Sequence, residues 1–238
     1  MAAKLSITDL LSLPNSSVKI PRLGFGIYQS SPSVCVASCL HALKTGYRHI
    51  DSAQYYANEK EMGEAVQQSG LSRSEVFLTT KVLAPAGSPD ATYKKCLQSV
   101  ERIDDGLGEG GSGEGKGYVA LFLIHSPSSG SAGRKMIWQA LERLHDEGRV
   151  KAVGVSNYGV SHIEEMQSYA KVWPPHVNQL EVSLFSSLDK FACFISHLQI
   201  PSLPCLCDLV FSPLFLQLGP LPSQIAPLHL ACSQPFNG

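Results

Sequence analysis

Residues 46–61 read GYRHIDSAQYYANEKE, which sets a carboxylate, Asp51, at the end of a short apolar run and follows it with Tyr55, Tyr56 and an Asn-Glu pair. A phenol is a weak acid, with a pKa near 10, and donates a proton well at neutral pH only beside a cation. Further along, Lys81 stands near the end of a second apolar run and His125 at the end of a third. An acid, a phenol, an ammonium and an imidazole are the parts of a proton-transfer site if a fold gathers them. Taken singly each has an ordinary role: Asp51 a solvated loop acid, Lys81 a surface base, His125 a satisfied core histidine. The elements that carry them therefore decide the matter.

From Arg22 to Glu181, short apolar runs alternate with helical patterns. The runs are LGFGI (23–27), HIDSA (49–53), VFLTTKV (76–82), YVALFLIH (118–125), VKAVGVSN (150–157) and HVNQLEV (176–182). Between them lie Val36, Leu40 and Leu43; Met62 and Val66; Leu97 and Val100; Ile137, Leu141 and Leu144; and Ile163 and Met166, each set at helical spacing. Gly148 reads as a helix terminator, and Ser161 followed by Glu164 as the start of a capping box. Strands apolar on both faces and alternating with helices imply a parallel sheet covered by helices. Six such units match a (β/α)8 TIM-type barrel, incomplete at about six units, better than a doubly wound sheet. In such a barrel the C-terminal strand ends face one mouth. Asp51 and Tyr56, Lys81, His125, Ser156 with Asn157, and Gln179 all belong to those ends.

Two segments break the pattern. Residues 104–117, DDGLGEGGSGEGKG, are low in complexity and read as a flexible insertion. They contain GxGxxG at Gly106, Gly108 and Gly111, but a helix precedes and a strand follows, the reverse of the dinucleotide-binding order, so the match is compositional. After Val182 the tail 183–238 has three charged residues, Asp189, Lys190 and Asp208, and seven of the chain's 15 prolines. Pro213 and Asp208 inside LPCLCDLVFSPLFLQLGPL argue against a membrane anchor, and Cys205 and Cys207 are too close and isolated for a zinc site. The tail is expected to be poorly ordered, with exposed apolar surface.

Composition narrows the rest. The 238 residues carry Lys+Arg 19 against Asp+Glu 20, so bulk charge offers no hold on nucleic acid. Lys4 and Asp9 interrupt any signal-peptide core, and seven cysteines without framework spacing read as free thiols. A cytoplasmic monomer acting on a small molecule, with no metal, is the expectation.

The motifs IPRLGFGIY (20–28), GYRHIDSAQYYANE (46–59), VFLTTKV (76–82), LFLIHSP (121–127), VKAVGVSNY (150–158) and VNQLEV (177–182) resemble those of the aldo-keto reductases, over residues from about 4 to 182. The resemblance implies a (β/α)8 barrel that binds NADPH without a Rossmann fold and reduces aldehydes and ketones to alcohols. It makes Tyr56, five after Asp51 and two before Asn-Glu, the proton donor, and leaves Tyr55 to pack. Lys81 would tune the tyrosine, Asp51 would hold the lysine charged and in place, and His125 would orient the carbonyl. Ser156, Asn157 and Gln179 would bind the nicotinamide carboxamide, while Gly26, Ile27 and Asp51 border the cofactor. Tyr28, Leu83, His125 and Ser126 would line the substrate pocket. Leu83 and Ser126 stand where many relatives have tryptophan, so the pocket should be less aromatic and more open.

The tail departs from the family. Relatives continue through two more strand–helix units that carry a stacking aromatic and a basic cluster for the adenosine 2′-phosphate, and 183–238 offers neither. Residues 1–182 thus read as the first six barrel units, and the tail as sequence from outside the normal reading frame or from a retained intron, giving a truncated product. The usual preference for NADPH over NADH should then be weak. Two other readings compete with the reductase: a regulatory, cofactor-sensing barrel, and a fragment without function.

Overall fold

The computed structural model describes residues 6–104 and 117–180. A short antiparallel hairpin comes first, β1 (Leu10–Ser12) and β2 (Lys19–Pro21), with Leu11 opposite Ile20. Its turn places Asn15 at φ 51, a left-handed conformation that asparagine tolerates. The sequence patterns gave no sign of this hairpin.

All six expected strands are present: β3 (Phe25–Gly26), β4 (His49–Asp51), β5 (Phe77–Val82), β6 (Val119–Ile124), β7 (Val150–Ser156) and β8 (Asn178–Gln179). They pair in that order, all parallel. Among the described residues five helices alternate with them: α1 (Pro32–Lys44), α2 (Glu59–Ser69), α3 (Pro89–Ile103), α4 (Gly130–Asp146) and α5 (Val160–Met166). The architecture is α/β, a curled parallel sheet that makes up six strands of a (β/α)8 barrel. Among the described residues β3 and β8 are its edges. The glycine-rich run at 105–116 lies outside the described residues. So does everything after 180, including the proline-rich tail with Asp189, Lys190 and Asp208.

Every residue of β5 and β6 is buried, as strands covered on both faces require. Alternation then separates two cores. Phe122, Ile124, Val153 and Val155 face outward, against Val100, Ile137, Trp138 and Leu141 of the helices. Phe77, Leu121, Leu123, Ala152 and Val177 face inward and pack with Leu13 and Ile20 of the hairpin. The hairpin thus packs into the inner core.

Helix ends follow local chemistry. Ser88 caps α3 by accepting from the Ala91 N–H at 3.2 Å, with Pro89 as the first helical residue. Gly148, at φ 74, ends the turn after α4 as expected. The capping box expected at Ser161 is not there. Gly159 is the N-cap of α5, with its N–H donating to His162 Nδ1 at 3.3 Å, and Ser161 lies inside the helix. The extended backbone at Gly159 and the ring of His162 do the work that a serine hydroxyl would have done two residues later. Among the described residues, no helix is long and apolar enough to cross a membrane.

Candidate active site

Alternation on β4 and β5 turns His49, Asp51, Thr79 and Lys81 into the barrel and stacks them in two levels. At the lower level His49 Nε2 lies 2.9 Å from Thr79 Oγ1, and its ring stands edge-on to Phe77 at 4.9 Å. Burial pushes His49 down to about 4, with Lys81 adding to the effect and Asp51 opposing it. His49 is therefore neutral at pH 7. At the upper level Lys81 Nζ is ion-paired with Asp51 Oδ1 and also donates to the Ser52 carbonyl at 3.0 Å. Both side chains are buried, and the second oxygen of Asp51 accepts from Gln179 Nε2 at 3.0 Å. A buried ion pair needs such extra bonds to offset its desolvation.

Beyond β4 the chain makes a single 3-10 turn, Gln54–Tyr56, closed by Ala57 at φ 55. The turn brings the Tyr56 hydroxyl to 3.5 Å from His125 Nε2, and the two rings meet edge-on at 5.6 Å. Lys81 Nζ lies 5.2 Å from the centre of the Tyr56 ring. Asp51, Tyr56, Lys81 and His125, separated by up to 74 positions in sequence, are thus one contiguous group. Burial, reinforced by the Lys81 charge and opposed by Asp51, pushes His125 down to about 4. At neutral pH its imidazole is uncharged and can donate one hydrogen bond and accept another.

The structure corrects one expectation here. Tyr55 does not pack, being 68% exposed. In a three-residue turn, Gln54 is drawn toward α3 and Tyr56 toward His125, so the middle side chain is left facing solvent. Tyr28, 49% exposed, sets its ring 4.8 Å from that of Tyr56, and Leu83, just past β5, is 37% exposed. Ser126 follows His125, but its hydroxyl oxygen is occupied by the Ser128 N–H at 3.3 Å.

Ser156, Asn157 and Gln179 meet at the adjacent ends of β7 and β8. The Asn157 N–H donates to the Gln179 carbonyl at 2.8 Å, and Asn157 Nδ2 to Ser156 Oγ at 3.3 Å. Asn157 stands at φ 59, which aims its side chain away from the strand direction. Two amides and a hydroxyl supply both donors and acceptors, the set that a carboxamide needs. Ile27 is buried and uses both backbone groups internally, its N–H on Asp51 and its carbonyl on Asn58 Nδ2 at 2.8 Å. Among the described residues, a Cβ on Gly26 would meet nothing within 4 Å.

Sequence reasoning missed Asn58. It is fully buried, accepts from Ser52 Oγ at 2.7 Å and donates to the carbonyls of Ile27 and Ser30, which joins the loops bearing Tyr56 and Tyr28. The signal was available as the Asn of the Asn-Glu pair, read only as a landmark. Among the described residues no three His, Cys, Asp or Glu side chains form a group that could hold a metal.

Comparison with known proteins agrees on one family. The model described as "Aldo/keto reductase family" matches residues 23–197. The chain is 37% identical over 171 residues to the 9,11-endoperoxide prostaglandin H2 reductase of Trypanosoma cruzi, covering 71% of this chain and 55% of that one. It is 35% identical over 177 residues to the glyoxal reductase of Bacillus subtilis, covering 74% and 59%. The chain thus spans a little over half the length of these curated relatives. The crystal structure of an aldo/keto reductase from Brucella melitensis superposes with a TM-score of 0.69 at 32% identity, over 80% of this chain and 69% of that one.

Proposed function

The chain belongs to the aldo/keto reductase family, and we propose that it reduces an aldehyde or ketone to an alcohol with NADPH as cofactor and Tyr56 as proton donor. The observation that carries this reading is the Tyr56 side chain, its hydroxyl 3.5 Å from His125 Nε2 and its ring centre 5.2 Å from the buried Lys81 Nζ. NADPH, when bound, supplies a hydride to the carbonyl carbon. Negative charge then gathers on the carbonyl oxygen, and Tyr56 gives that oxygen its phenolic proton. Lys81 favours the tyrosinate left behind, which makes the phenol a stronger acid. Asp51 holds Lys81 through one oxygen while Gln179 holds the other, so the ammonium keeps one position. His125 donates an imidazole N–H to the same carbonyl oxygen and orients it toward Tyr56.

Ser156, Asn157 and Gln179 would hold the nicotinamide carboxamide, and Gly26, Ile27 and Asp51 would border the cofactor. Tyr28, Leu83 and Ser126 line the approach and bear on which carbonyl compounds enter. In this reading residues 1–182 supply the reductase chemistry.

The Bacillus subtilis relative is named for glyoxal, a reactive dialdehyde that serves as a probe. The test is to mix the chain with NADPH and glyoxal and follow oxidation of the cofactor together with formation of the alcohol. Equimolar consumption and product are expected. Micromolar NADPH binding without any turnover, seen by intrinsic fluorescence, would replace the reductase with a cofactor-sensing protein.

A further inference from the structure

Tyr56 and Lys81 lie on separate elements, a short turn and a strand, and their distance matters only if those elements cannot slide. A second polar network, on the other side of the sheet, links the two. Thr80 precedes Lys81 on β5, so alternation points it outward where Lys81 points inward. Its hydroxyl donates to Glu59 Oε1 at 2.6 Å. Glu59 is the first residue of α2 and only 3% exposed. Its other oxygen, Oε2, accepts from Ser99 Oγ at 3.1 Å and from Arg102 Nε and a terminal guanidinium nitrogen at 2.9 and 2.7 Å. Ser99 Oγ accepts in turn from Gln54 Nε2 at 2.6 Å, and the same amide donates to the Lys95 carbonyl at 3.0 Å. Gln54 opens the three-residue turn that ends in Tyr56.

We propose that Glu59 is a positioning residue that fixes the Tyr56 turn and the Lys81 strand in one register, with Gln54 and Thr80 as its two arms. The inference rests on the reading of Tyr56 as a proton donor tuned by Lys81. Each arm ends one or two residues from a reacting group: Thr80 next to Lys81, and Gln54 two before Tyr56. Both arms converge on a single carboxylate. Thr80 and Ser99 are fully buried, so water has no place to substitute for a lost bond. A network of this kind holds its members in one arrangement when every member is satisfied. Cutting either arm frees the turn from the strand and lets the phenol drift from the ammonium.

The test reads Tyr56 directly and needs no cofactor. Ultraviolet titration of tyrosinate in each protein, minus the same protein carrying Tyr56→Phe, isolates the ionisation of Tyr56. Gln54→Met and Thr80→Val each remove one arm at nearly constant volume. In both, Tyr56 should become about tenfold less acidic, moving toward the ordinary tyrosine value near 10. The double variant should move it little further, because either cut alone releases the turn. Thr80→Ser, which keeps the hydroxyl, should titrate as the original chain does. Unchanged Tyr56 titration in both arm variants, with a lowered melting temperature, would overturn the proposal and leave the network a structural tie. A Tyr56 titration that Lys81→Met also fails to move would overturn the tuning itself and this inference with it, so the two failures are told apart.

Discussion

Lys81 illustrates how one buried charge serves two purposes. It is ion-paired with Asp51, and it sits 5.2 Å from the Tyr56 ring. Lys81→Met should therefore lower reductase activity by about 10²–10⁴-fold, the worth of general acid catalysis. It should also cost about 3–5 kcal/mol of stability, because Asp51 is left buried without its partner. Lys81→Met with Asp51→Asn should recover most of the melting temperature and none of the activity. Recovery of activity in the double variant would show that the charge on Lys81 is not what Tyr56 needs. Asp51, Lys81 and His125 were legible in the sequence because each stands at or beside the end of an apolar run, where the barrel must place it at the mouth. Tyr55 was not, because a three-residue turn has no periodicity to say which side chain faces solvent. Gln54 left no signal at all, since a glutamine in a loop reads as solvated until its partner on α3 is seen.

At the scale of elements, the strands and helices that position the site were legible from their two apolar periods, and the exceptions are short pieces. The hairpin β1–β2 has three residues per strand and a turn without an Asn-Gly or Asp-Gly signal, so nothing marked it. The start of α5 shifted because a glycine and a histidine cap it in place of a serine. The residues that flank 105–116 are joined by a buried cluster. Asp104 accepts from the Tyr118 N–H at 2.6 Å and from Arg73 Nε at 3.3 Å, while Arg73 donates to the Tyr118 carbonyl at 2.7 Å. A Cβ on Gly117 would come within 2.0 Å of the Asp104 carbonyl, so the two lips touch. Replacing residues 105–116 by a short Gly-Ser linker should leave the melting temperature within a few degrees, as loop-closure entropy changes slowly with length. Arg73→Ala should cost about 3–5 kcal/mol, since it strands Asp104 without its buried partner. A large loss of stability in that linker variant would contradict this expectation.

The molecule as a whole should respond to acid through its buried histidines. Burial pushes His49 and His176 each down to about 4, and His176 Nδ1 accepts from the Val153 N–H at 3.0 Å, which a protonated ring cannot do. The unfolded chain binds those protons near pH 6.5 and the folded chain only near 4, so the unfolded state gains them first. Their stabilising effect is complete above about pH 6.5 and drains away as pH falls toward 4, by up to about 3 kcal/mol per histidine. Urea unfolding measured from pH 7 to 4.5 should show that decline, and His176→Gln should flatten part of it. A pH-independent midpoint over that range would mean that the histidines are not held neutral by the fold. The central claim, that Tyr56 gives the proton, is reached most directly by comparing the 238-residue chain with its Tyr56→Phe variant in NADPH oxidation with glyoxal, with cofactor affinity measured alongside. The account predicts a loss of about 10²–10⁴-fold in turnover at unchanged affinity for NADPH. Turnover in the phenylalanine variant equal to that of the original chain would contradict it.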